Sequence, residues 1–379
     1  MARGDPCPHG SFPGTPTLGG ATVIDIEAPA GDPGETDAPD FPPRPPLVPG
    51  RAAETLTARV QLVAGERRDL VLEYRADHPE LSGQLTGHVK LGWVPPPAFV
   101  APAVEAAAAL AARSDVAIIV ATDYETEMMD RPDLRLPQDQ DALIRAVAAA
   151  NPRTVVVLMT GAPVEVEAWR NDVAAVVEAW YAGQEQGDAI ARMLFGDVDA
   201  TGRLPLTFPR SLAETPVSTP EQYPGVEGVA HYREGIFVGY RGYDERGIQP
   251  RYPFGHGESY TTFKYEALEI GPGGEGPDAV ATVAFELVNT GDRAGVEVAQ
   301  VYVGRLATET PTPRRQLAGW ARVALEPGER RRVRVAVELR SVSFWDVDAG
   351  GWTATSGDVG VEVGRSSRDA RLTGTLIVP

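Results

Sequence analysis

Hydrophobic positions along this chain change period three times and divide it into four stretches. Residues 1–52 show no period. Gly and Pro crowd them, with a cluster from Pro29 to Pro49, and only Ala21–Ile26 (ATVIDI) reads as a strand. Residues 53–97 turn to period two. Thr57–Val63 and Asp69–Tyr74 alternate or run apolar about the turn Ala64-Gly65-Glu66, which predicts a hairpin, and His88–Trp93 predicts a third strand stopped by Pro95-Pro96-Pro97. So few strands make a truncated β module rather than a self-sufficient sandwich.

Residues 98–263 alternate between the two periods. An alanine-rich helix is predicted over Ala101–Arg113, a buried strand over Val116–Thr122, and a helix from Pro137 through Ala150 with Leu143, Ile144 and Val147 on one face. Continuous apolar runs follow at Val155–Met159 and Ala174–Trp180. Gly187–Phe195 is helical, with Gly196 as its C-cap. Uninterrupted Val/Ile/Leu strands separated by helices predict a layered α/β sandwich with a mostly parallel sheet, covered on both faces. From 264 to 379 the chain returns to strands: Ala279–Val288, Gly295–Val303, Gly319–Leu325, Arg331–Leu339 and Val359–Val363. Turns such as Asn289-Thr290-Gly291-Asp292 space them as in a β-sandwich of immunoglobulin or fibronectin kind.

Composition narrows the function. A net charge of −18 repels nucleic acid and anionic membrane surfaces and favours neutral or cationic ligands. No apolar run approaches the ~20 residues that span a bilayer. Cys7 is the only cysteine, and the five histidines lack ligand spacing, so neither a metal nor another cofactor is expected. The first residues (MARGDPCPHGSFPG) carry no apolar signal core. That predicts a cytoplasmic chain, or a secreted one whose signal has been removed.

Candidate chemistry concentrates after the strand Val116–Thr122. The run Asp123-Tyr124-Glu125-Thr126-Glu127-Met128-Met129-Asp130-Arg131 places four carboxylates and one Arg within nine residues. It leaves the carboxyl end of a strand, where open α/β sheets bind ligands. A carboxyl crowded by others and partly desolvated has its pKa raised, as a general acid at neutral pH requires. The same cluster also describes a solvated loop of an acidic protein, and the residues alone leave both readings open. Gln184-Glu185 on a strand-to-helix loop either reach a ligand or cap the helix. Tyr240 and Arg241 in GYRGY either stack on a sugar or hold a domain interface.

Seven ordered motifs over about 140 residues resemble the C-terminal half of glycoside hydrolase family 3, of β-glucosidase type. They are Glu127 followed by Asp130-Arg131; Leu136-Pro137-Gln138-Asp139-Gln140; Asn151–Val157; Trp180–Gly187 with Leu194-Phe195-Gly196-Asp197; Gly202–Pro209; Gly235–Arg241; and Pro253–Phe263. The last stretch resembles that family's fibronectin type III-like domain, including Leu325-Glu326-Pro327-Gly328-Glu329. Residues 20–95 resemble later strands of an anthrax protective antigen-type module. The implied order is an arm (1–52), a truncated β module (53–97), an α/β sandwich domain (98–263) and a fibronectin-like sandwich (264–379).

By this resemblance Glu127 is the general acid/base, with Glu125 and Asp130 as neighbouring catalytic candidates. Tyr124, Met128, Met129, Arg131, Gln184, Glu185, Tyr240 and Arg241 are the substrate-binding candidates. Two departures are expected to matter. The family's nucleophile is an Asp on an N-terminal (β/α)₈ barrel of ~250 residues, and these 379 residues hold no counterpart. Met128 and Met129 replace the usual Gly and aromatic, which costs backbone freedom and makes the site more apolar.

Three functions follow from this reading. The chain is the acid/base half of a glycosidase served by a barrel-bearing partner chain, or a stand-alone acid/base enzyme acting on a small molecule, or a non-catalytic carbohydrate-binding scaffold. The implied partners are a glycoside or other small ligand and either the barrel-bearing chain or a second copy of this one.

Overall fold

The computed structural model describes residues 101–123, 125, 131, 133–273, 276 and 278–378, with the backbone of three short strands before them. The chain divides into two units, residues 1–99 and 100–379. In the first, β1 (Pro16–Leu18) pairs antiparallel with β2 (Ala21–Thr22) and β3 (Leu70–Leu72). The strands expected at Thr57–Val63 and His88–Trp93 lie outside the described residues.

The second unit begins with α1 (Pro102–Ala111), whose Pro sits in the first turn where a missing N–H costs nothing. Then come β4 (Ala117–Thr122), α2 (Gln140–Ala150), β5 (Thr154–Met159), β6 (Ala175–Glu178), α3 (Gln186–Leu194) and the short α4 (Tyr240–Glu245). Strands β4, β5 and β6 form a parallel sheet in that order, with Ala117 opposite Thr154 and Val155 opposite Ala175. Ile119, Ala121, Val156 and Leu158 project into one core with Ile144 and Val147 of α2 and the fully buried Trp169.

Two expectations need correction. The helix expected from Pro137 starts only at Gln140, because Gln138 and Asp139 take left-handed backbone angles (φ 58° and 55°). That geometry turns the Gln140 side chain back onto β4, where it bonds both backbone groups of Thr122 (3.0 and 2.8 Å). Cover on both sheet faces also fails at β4. Ile118 and Val120 are 50% and 54% exposed, because β4 is an edge strand whose second face meets none of the helices that bury Ile119 and Ala121.

The remaining strands build a β-sandwich. One sheet runs β10 (Arg315–Leu325), β9 (Gly295–Gly304), β14 (Gly357–Ser366), β15 (Asp369–Val378). The other runs β11 (Arg330–Glu338), β8 (Ala279–Asn289), β7 (Phe263–Pro272). Alternate residues of each strand, such as Val283, Phe285 and Leu287 of β8 and Val359, Val361 and Val363 of β14, fill the space between them. A separate hairpin pairs β12 (Ser343–Asp346) with β13 (Gly351–Ala354). The two layered parts meet through the buried Glu297 of β9, which pairs with Arg203 at 2.6 Å and Arg365 at 3.2 Å.

Candidate active site at the carboxyl edge of the parallel sheet

The three parallel strands end side by side, and their last residues gather a cluster of ionisable groups. Register sets this. Thr122 lies opposite Met159 and Leu158 opposite Glu178, so the segments that follow leave the sheet at one edge. Asp123, immediately after β4, is 6% exposed and accepts three hydrogen bonds. They come from the Tyr181 hydroxyl after β6, from Arg131 Nη1 at 3.2 Å and from the backbone N–H of Gly161 after β5 at 3.2 Å. Arg131 also reaches Glu125 Oε1 at 3.3 Å and donates to the carbonyl of Pro163 at 2.5 Å. One guanidinium thereby ties both ends of the loop 123–131 to the end of β5.

Gly161 is needed where it stands. A Cβ there would lie 2.2 Å from Glu125 Oε2 and 2.9 Å from the Tyr181 ring. Behind this layer, Glu178 closes β6. Its carboxylate accepts from Trp180 N–H at 3.0 Å and Thr160 Oγ1 at 3.1 Å, and so holds Trp180 in a left-handed conformation (φ 53°). Such angles cost a bulky residue energy and persist only where the surroundings enforce them.

The electrostatics follow from crowding. Burial first, then the Asp123 charge, raises the Glu125 pKa, against the opposing pull of Arg131. Burial pushes Glu178 up to about 7, although its hydrogen bonds favour the charged form. Tyr181 is pushed up to about 12 by burial and by the Asp123 carboxylate it bonds, so the phenol stays a donor.

Of the candidates named from sequence, the structure brings together Glu125 and Arg131. Glu127, Tyr124, Met128, Met129 and Asp130 lie outside the described residues, on the loop between Asp123 and Arg131. Gln184 and Glu185 are exposed on the turn into α3, and no side chain caps that helix, so the capping explanation falls. Tyr240 stacks on Phe254 with ring centroids 4.7 Å apart, meets Tyr302 edge-on and accepts a bond from Leu317 N–H at 2.9 Å. All three partners lie on the sandwich or the segment leading to it. Asp123 belonged to the acidic run noted from sequence but was given no role there, and Gly161, Glu178 and Tyr181 were not among the sequence candidates. Glu178 offered one signal, a lone carboxylate ending an otherwise apolar strand. Among the described residues no cluster of His, Cys, Asp or Glu is arranged to hold a metal ion, and no helix is long and apolar enough to cross a membrane.

A sequence profile described as the glycosyl hydrolase family 3 C-terminal domain matches residues 31–240, more than half of the chain. The chain belongs to glycosyl hydrolase family 3. A fibronectin type III-like domain profile matches residues 297–367. The β-glucosidase of Rhizobium radiobacter is 39% identical over 337 residues, which are 87% of this chain and 40% of that protein. Thermostable β-glucosidase B of Acetivibrio thermocellus is 38% identical over 69% of this chain and 35% of its own length. Among solved structures, the β-glucosidase DesR of Streptomyces venezuelae, determined in complex with D-glucose, superposes with a TM-score of 0.70 at 39% identity, over 73% of this chain and 35% of that one. The Kluyveromyces marxianus β-glucosidase matches 97% of this chain and 41% of its own, with a TM-score of 0.68 at 30% identity. This family 3 chain therefore spans 35–40% of the length of these two curated relatives.

Proposed function

We propose that this chain carries the proton-transfer half of a β-glycoside-cleaving site, with Glu127 as general acid/base. The observation that supports this reading most is the bracing of the loop around Glu127. Arg131 and Asp123 fasten the ends of the loop to β5 and β6, and Glu125 beside them has a raised pKa. Glu125, on the same loop, sits where burial and a neighbouring carboxylate favour the protonated form, which is the setting this reading requires of a general acid. Glu125 and Asp130 are the supporting carboxylates in this reading. Tyr124, Met128, Met129, Gln184 and Glu185 are the substrate-binding candidates in this reading. Tyr240 and Arg241 sit nearer the sandwich.

A retaining glycosidase places its two carboxyls ~5–5.5 Å apart on opposite sides of the scissile bond. Asp123 and Glu125 share one loop with Glu127, so they stand on its side of the sugar. The nucleophile in this reading comes from outside these 379 residues, on a barrel-bearing chain that docks here. The deciding experiment mixes the purified chain with the barrel segment of a family 3 β-glucosidase and follows hydrolysis of an aryl β-glucoside. Activity should appear only in the mixture, and Glu127→Gln should lower it by about 10²-fold or more. A chain that alone turns over such a substrate at ~10 s⁻¹, an ordinary enzyme rate, overturns the missing-nucleophile half of the reading. A fully active Glu127→Gln overturns the other half.

A further inference from the structure

A cavity of about 390 Å³ opens where the hairpin β12–β13 meets the segment 304–316 and the stretch before α4. Its rim is aromatic. Trp345 and Trp352 are direct cross-strand partners, with ring centroids 5.6 Å apart at 70°, and each is 48% exposed. Two indoles left half in water on a two-stranded hairpin are poorly explained by packing alone, since the sandwich core is complete without them.

Charge makes the cavity more specific. In a chain of net charge −18, its lining contains Arg241 and Arg340 and no carboxylate. Arg340 lies over the Trp352 ring, and neither guanidinium has an acidic partner among the described residues. Polar groups complete the lining. Gln316 and Ser341 also face it, and their side chains have no hydrogen-bond partner among the described residues. Aromatic faces, two unneutralised guanidiniums and free neutral hydrogen-bonding groups, in a volume suited to one small ligand, recognise a ring that bears an anion.

We propose that this cavity is an accessory binding site for a small carboxylate-bearing ring. The ring stacks on Trp345 beside Trp352, whose ring Arg340 covers, and its carboxylate is held by Arg340 and Arg241. Two sources present that chemistry, a uronic acid and an aryl carboxylic acid.

The test follows the indole N–H signals of Trp345 and Trp352 in the whole chain by NMR, assigned with the Trp345→Phe and Trp352→Phe variants. Glucuronate, benzoate and their neutral methyl esters are titrated to about 10 mM, enough to detect millimolar affinity. One or both acids should shift the two indole signals, and the esters should shift them little. Shifts with glucuronate alone assign the site to acidic saccharides, and shifts with benzoate alone to aryl acids. Arg340→Gln and Arg241→Gln change solvent-accessible cavity positions, and each should weaken the response by about tenfold at an unchanged melting temperature. The proposal fails if neither acid moves the signals, if the esters act as strongly as the acids, or if both Arg variants respond like the parent.

Discussion

Glu178 Oε2 lies 3.1 Å from the Thr160 hydroxyl across the tops of β6 and β5, in the layer directly behind Asp123. This carboxyl is more than a strand terminator. Burial lifts its pKa to about 7, while its unfolded value is 4.5. The folded chain therefore binds the extra proton between those values, and stability falls as pH rises from about 4.5 through 7.

Glu178→Gln keeps the shape and the acceptor for Trp180 N–H but removes the titration. At pH 5 parent and variant should unfold at similar denaturant concentrations. At pH 8 the variant should be the more stable, by up to about 3 kcal/mol. Urea melts at both pH values check this, and a parent that gains on the variant as pH rises contradicts it.

Gly161 should be replaceable for folding but not for the site. Its backbone angle is not left-handed, so Ala brings no conformational penalty, and the clashing atoms are side-chain ends of Glu125 and Tyr181 that can swing away. Gly161→Ala should shift stability by less than about 1 kcal/mol. It displaces Glu125 and breaks the approach of Tyr181 to Asp123, so activity in the reconstituted assay should fall by about tenfold to a hundredfold. Melting curves and rates measured on one preparation separate the two effects.

What the sequence made legible, and what it hid, follows from the distance over which each signal acts. The α/β pattern shows directly in the Val/Ile runs of β4 and β5, and the sandwich in alternation such as Val283, Phe285 and Leu287. Glu125 and Arg131 were legible because they share a loop. Asp123, Gly161 and Tyr181 meet only because parallel register aligns three strand ends, a relationship between residues 20 to 60 positions apart. Pattern also misled at β4, where an apolar run predicted cover on both faces and edge position left Ile118 half in water. In β9 the inward row holds Glu297 beside Ala299 and Val301, a buried charge that only the distant Arg203 and Arg365 explain.

That buried triad yields the third prediction. Glu297 is fully buried, and Arg203 is nearly so. Glu297→Gln leaves two guanidiniums facing a neutral amide in a region of low dielectric, and losing one partner of a buried pair costs about 3–5 kcal/mol. Because Arg203 belongs to the segment between α3 and α4 and Glu297 to the sandwich, the variant should also loosen the contact between the two parts. Denaturation should broaden or split into two transitions. A variant within 1 kcal/mol of the parent, with one sharp transition, would falsify the claim that this triad joins them.

The last prediction concerns the electrostatic setting of the proposed acid. Among the causes that raise the Glu125 pKa, burial comes first and the Asp123 charge second, with a further contribution from the hydrogen bond between the two carboxyls, while Arg131 pulls the other way. Asp123→Asn deletes the charge and substitutes an amide that donates to a neighbouring carboxylate. It also leaves Arg131 with Glu125 as its one carboxylate within ion-pair distance among the described residues. Each change favours ionised Glu125, so its pKa should fall. The amide oxygen keeps one of these bonds, from Tyr181 at the Oδ1 position or from Gly161 N–H at the Oδ2 position, so a melting curve of the variant accompanies the titration. Carbon-13 NMR titration of the labelled Glu125 carboxyl reads the shift directly. The alkaline limb of the rate profile in the reconstituted assay, where the general acid loses its proton, should move to lower pH if the loop titrates as a unit. A Glu125 pKa that stays in place or rises in Asp123→Asn would mean that desolvation alone governs the loop. Asp123 would then serve only as a fastening for Tyr181 and Arg131.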